Sequence, residues 1–148
     1  MRTLVTFESS AFNATDTREY FINPGCYGDD TCRWLMHRLR HAGVSTDPEP
    51  GQEDFGWYFN FTLGEGEHCL VVVFRPGNNE AGAGVWIAWL ERKTGFVGAL
   101  LGGRKRGIPT AAVSAVHRAL ASPEVSNVRW HDRAEFESGN EERGSQEP

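Results

Sequence analysis

The stretch Phe55–Leu63, FGWYFNFTL, sets Phe55, Trp57, Phe59, Phe61 and Leu63 at every second position, with Gly56, Tyr58, Asn60 and Thr62 between them. Only an extended backbone brings alternate side chains onto one face, so the spacing predicts a strand with a buried aromatic face. A lone strand cannot bury five large apolar groups; it needs neighbouring strands and a covering layer. The neighbours follow at once. GEGE, residues 64–67, reads as a hairpin turn. HCLVVVFR, residues 68–75, is apolar on both faces and predicts a central strand whose second face is at least partly covered. PGNNEAGAG is a further turn region and VWIAWLER, residues 85–92, a third strand. Phe55–Arg92 is therefore expected to form a three-stranded antiparallel unit.

Two helical segments supply the cover. In DDTCRWLMHRLRHAG, Cys32, Leu35, Met36 and Leu39 recur at i, i+3, i+4 and i+7. Asp29 is expected as its N-cap, Asp30 suits the positive helix end, and Gly43 suits the position after the C-cap. In PTAAVSAVHRALAS, Val113, Val116, His117 and Leu120 share a face, Pro109 fits the first turn and Pro123 ends the pattern. A β-rich run at Thr3–Ser9 and a second at VSNVRWHD, residues 125–132, predict a strand at each end; residues 13–28 read as a long loop. The order is β-α-β-β-β-α-β. It implies an α+β, two-layer fold, a mainly antiparallel sheet with two helices packed on one face. At 148 residues the chain is expected to be a single domain over residues 1–136. Residues 137–148 carry four Glu, one Arg and no large apolar side chain, and are expected to be a disordered acidic tail.

Charge and cysteine content narrow the function classes. The net charge is −5, of which the tail contributes −3, so the body is nearly balanced and lacks the basic excess of a general nucleic-acid binder. No run is long and apolar enough to span a membrane, and the N-terminus has no signal-peptide core. Three cysteines, an odd count without a secretion signal, imply reduced thiols and a cytoplasmic location.

The segment GALLGGRKRGIPT, residues 98–110, is the main candidate site. Gly98 and Gly103 match the spacing of a nucleotide-binding P-loop, but Arg104 and Lys105 follow, with no hydroxyl residue beside the lysine. A nucleoside-triphosphate site is excluded on that ground. A simpler role survives: three cations just before a helix N-terminus oppose its dipole, and a bound anion relieves the conflict. Arg92, Lys93, Arg104, Lys105 and Arg106 are the residues assigned to such an anion. The order α-β-β-β-α over Asp29–Ala121, with basic residues at the start of its last helix, is similar in topology to a double-stranded-RNA-binding domain. That resemblance implies phosphate contacts from those residues.

Other constellations are weaker. His37 and His41 lie four apart, but among Arg33, Arg38 and Arg40 and opposite the apolar stripe, so they read as an exposed polar face. Cys26, Cys32 and Cys69 lack the paired spacing of a structural zinc site, and no metal or cofactor is assigned. Cys26 precedes a helix N-terminus, where a thiol pKa can fall, and is the one candidate reactive thiol. His117, at the rim of its apolar face, reads as a satisfied, partly buried histidine. The leading reading is a small soluble, non-catalytic binding or regulatory protein acting through protein–protein contacts. Behind it stands a nucleic-acid or phosphate-ligand binder using the basic Gly-rich loop 98–107, and behind that a thiol-dependent enzyme. An open edge of the meander would also allow two copies to pair as a homodimer.

Overall fold

The computed structural model describes residues 1–64, 66–77, 84–93 and 107–148. Its strands are β1 (Arg2–Glu8), β2 (Ser45–Thr46), β3 (Gly51–Gln52), β4 (Trp57–Leu63), β5 (Gly66–Arg75), β6 (Val85–Arg92) and β7 (Ser126–Asp132). The helices are α1 (Asp29–His41), α2 (Thr110–Leu120) and the short α3 (Arg133–Glu137). The strands form one seven-stranded sheet in the order β2-β4-β5-β6-β1-β7, with β3 also on β4. Every pairing is antiparallel. The expected α+β architecture is present, and the β4-β5-β6 meander is its centre. The meander is not free-standing: β1 continues the sheet beyond β6 and lies between it and β7.

The register explains the core. Trp57, Val72 and Ala88 align across three strands, as do Phe59, Leu70 and Leu90, so the aromatic face of β4 becomes one wall of a shared layer. Phe7, Val5, Trp86 and Trp130 extend it, and α1 and α2 cover it with Cys32, Leu35, Met36, Leu39, Val113, Val116 and Leu120. Helix α1 ends as its sequence demands. Gly43 takes φ 86°, its N–H donates to Arg40 O, and the Val44 N–H donates to Leu39 O, a Schellman closure. Its start differs from the expectation. Gly28, not Asp29, is the N-cap, at φ 147°. Asp29 is the first helical residue, and its carboxylate turns away to other partners.

The second sheet face carries Cys69, Val71, Ile87, Trp89, Leu4 and Thr6, in register across β5, β6 and β1. It is covered in part by the chain's last residues. Arg133 lies over the Trp89 ring at 5.2 Å and meets Glu91 at 3.4 Å, while Phe136 packs edge-on to His131 at 5.0 Å. The expectation of a disordered tail at 137–148 is corrected here. A 3-10 turn spans Glu141–Arg143, and Ser145 exchanges backbone bonds of 2.6 and 2.8 Å with Trp130. Glu141 forms a bidentate pair with Arg75 at 2.6 and 2.9 Å. Backbone bonds and ion pairs hold the segment without large apolar anchors, which is why its composition concealed it.

Candidate binding surface

The loop of residues 13–28 is built rather than slack. It sends Phe21 into the core, which Phe12 enters just before it, and ties itself to α1 through Arg18. Arg18 grips Asp30 with both guanidinium nitrogens, at 2.7 and 3.0 Å, and reaches Asp29 at 2.7 Å. Asp29 is wholly buried, and its Oδ2 also accepts from Tyr20 and from Arg33. The hydrogen bond from Arg18 holds the Asp30 carboxyl below its ordinary range. No sequence signal marks this network, because Arg18 meets its partners only after the loop has closed on the helix.

This loop is cross-tied to the next one. The Ile22 N–H donates to Gln52 Oε1 at 2.8 Å, Gln52 Nε2 donates to Tyr20 O at 2.8 Å, and Asn23 Nδ2 donates to Glu53 O at 3.2 Å. Two irregular segments are thereby fixed side by side at the β3–β4 edge. The apolar side chains they carry point outward: Ile22 is 73% exposed and Phe55 57%. Phe55 stacks on Trp89 at 6.0 Å and 20°. Tyr20 is also exposed and stands edge-on to Trp57. Glu19, Glu53 and Asp54 are exposed on the same segments, and none of the three meets a described cation within ion-pair distance. The two cross-tied segments thus make a ledge that bears exposed apolar side chains and exposed carboxylates, with Tyr20 packed towards Trp57 and Phe55 towards Trp89. The alternation of β4 extends to Phe55 in sequence, so Phe55 was expected on the core face; the strand starts at Trp57, and Phe55 instead turns to the opposite sheet face.

The residues singled out in the sequence fare differently. Arg104, Lys105 and Arg106, with most of the loop 98–107, lie outside the described residues. Arg92 is exposed at the end of β6, and Lys93 meets Glu67 at 3.4 Å. Cys26 is half-buried, and burial pushes its thiol pKa up, which corrects the expectation of a lowered value. Its carbonyl accepts from Trp57 Nε1 at 2.8 Å, so the residue helps to seat the loop. His117 is half-buried and accepts from Trp130 Nε1 at 3.0 Å through Nδ1. Among the described residues no group of three or more His, Cys, Asp or Glu is placed to hold a metal ion, and no helix is long and apolar enough to cross a membrane. Comparison with protein-family models, curated proteins and solved structures returned no match.

Proposed function

We propose that the protein is a small binding or regulatory protein that acts by contacting another protein, and that the ledge of Tyr20, Ile22 and Phe55 is the contact face. The observation that carries this reading is the pairing of exposure with fixation. Large apolar side chains are left in water while the loops that bear them are held by side-chain bonds from both sides. Exposed apolar clusters with a polar rim are typical of interfaces. A loop already held in place loses little conformational freedom on binding, which favours affinity. The carboxylates of Glu19, Glu53 and Asp54 select a partner with a basic rim, because like charge across the contact is strongly disfavoured.

The test is recovery of a stoichiometric protein partner from the native host, followed by the double substitution Ile22→Ser and Phe55→Ser. The fold should persist, since both side chains project from the surface, with stability changed by no more than about 0.5 kcal/mol. The partner should be lost, and wild-type binding should weaken as salt rises. Retention of the partner by the double variant removes the ledge as the contact face. Failure to recover any stoichiometric protein partner removes the reading itself.

A further inference from the structure

Toward the other end of α1 lies a cleft of opposite character. His37, Arg38, Leu39, His41 and Ala42 of α1 and its C-terminal turn face Ala115, Arg118 and Ala119 of α2, with Val44 and Leu63 completing the lining. The cleft encloses about 470 Å³, within the size range of small-molecule sites. Its floor is apolar: Leu39, Val44, Ala115 and Ala119 are buried core residues that show one edge to the opening. Its rim is basic and holds no acidic residue.

The two arginines of the cleft therefore lie across it from one another with no carboxylate in the lining. Arg18, Arg33, Arg75, Lys93, Arg133 and Arg143 each meet an acidic side chain. Arg38 and Arg118 meet none among the described residues, as is also true of Arg2, Arg40, Arg92 and Arg129, but only these two share the lining of one cleft. Arg38 is also held in place. Its Nε donates to Ala119 O at 2.5 Å, its Nη2 donates to Ala121 O at 3.0 Å, and its guanidinium lies 5.1 Å from the Trp34 ring. These bonds cap the carbonyl end of α2 but leave the positive charge without a counter-ion. Arg118, His37 and His41 are exposed around it.

We infer that this cleft is a binding site for an amphipathic organic anion: an apolar body lying on Leu39, Val44, Leu63, Ala115 and Ala119, and a single carboxylate or sulfonate head between Arg38 and Arg118. Charge complementarity selects the head and the apolar floor selects the body. A bare inorganic anion would leave that floor in water, and a cation would face four basic side chains. The site is separate from the ledge, which lies at the α1 N-terminal side, and does not depend on it.

The probe is the fluorescent sulfonate 8-anilinonaphthalene-1-sulfonate, titrated into the intact protein, with decanoate as competitor. Wild type should bind the dye in a saturable manner, decanoate should displace it, and inorganic phosphate at the same concentration should not. Arg118→Glu combined with His37→Glu changes only exposed side chains and should weaken dye and decanoate binding about tenfold or more. Phe55→Ser should leave both unchanged. No saturable binding to wild type, equal binding to the double variant, or loss of binding in Phe55→Ser would each overturn the assignment, the last by placing the dye on the ledge.

Discussion

Asp29 shows how one residue can serve the fold in a way its sequence position conceals. Its carboxylate is fully buried, Oδ2 gathers Arg18, Tyr20 and Arg33, and Oδ1 has no hydrogen-bond partner among the described residues. A buried carboxylate is tolerated only while its donors remain. Arg18→Ala should therefore lower unfolding stability by about 2–3 kcal/mol in urea denaturation, less than when both partners are buried because Arg18 itself reaches solvent. Arg18→Lys should restore only part of the loss, since a point ammonium cannot span two carboxylates as the guanidinium fork does. The preceding residue has the opposite requirement. At Gly28 a side chain would sit in a strained backbone region and 3.1 Å from the Trp57 ring, so Gly28→Ala should cost about 1–3 kcal/mol by the same measurement. In sequence, Asp29 read as a helix cap, because capping is a local signal. Its true partners depend on a loop closure that no local pattern encodes.

Elements defined by periodicity were legible, and elements defined by docking were not. The aromatic alternation located β4, and the i, i+3, i+4, i+7 stripe located α1, because both patterns are written within a few residues. The last residues carry no such pattern. They are held by the Trp130–Ser145 bonds, the Arg75–Glu141 pair and the close passage of Gly144 over the His131 ring. A Cβ on Gly144 would collide with that imidazole, which is buried and has little room to move. Gly144→Val should thus release residues 141–148 while leaving the sheet intact. Amide exchange at Trp130, whose N–H donates to Ser145, should speed up markedly, with a global stability loss of only about 1 kcal/mol. This segment also lies on the outer edge of β7, while β2 and β3, two residues each, occupy the outer edge of β4. Of the two meander edges that would allow two copies to pair, β6 is covered by β1 and β4 is partly occupied by β2 and β3.

Across the whole molecule, a net charge of −5 hides a local difference: the cross-tied loops carry the exposed Glu19, Glu53 and Asp54, while the cleft is lined by His37, Arg38, His41 and Arg118 with no carboxylate. Stability should also depend on pH through two histidines enclosed by the sheet layers. His68 lies on the helix-covered face beside Phe61, and His131 lies on the other, 2.9 Å from Thr6 Oγ1. Burial lowers the pKa of both. Arg92 adds to the effect at His68; at His131, Arg129 and Arg2 add to it and Glu141 opposes it. A folded-state value below the unfolded one means that the neutral ring is favoured by folding. The contribution is complete above about 6.5 and is lost as pH falls through the folded values. The urea midpoint should hold from pH 8 to 7 and decline between pH 6.5 and 5, before Asp30 and Glu141 begin to titrate, and a His68→Leu, His131→Leu variant should show a flatter decline.

The place of β1 in the sheet has a consequence for how the chain is made. Thr6 and His131 touch across 125 positions, and β1 is flanked by β6 and β7, both of which come much later in the chain. At a synthesis rate of roughly 5–20 residues per second, β1 waits on the order of ten seconds after leaving the ribosome before its second neighbour exists. Until β6 has been made the run Leu4–Phe7 has neither of its sheet partners, and until β7 has been made it has at most one. Vectorial synthesis thus delivers this interior strand well before either strand that pairs with it, and a nascent chain needs protection of Leu4–Phe7 until β7 has been made.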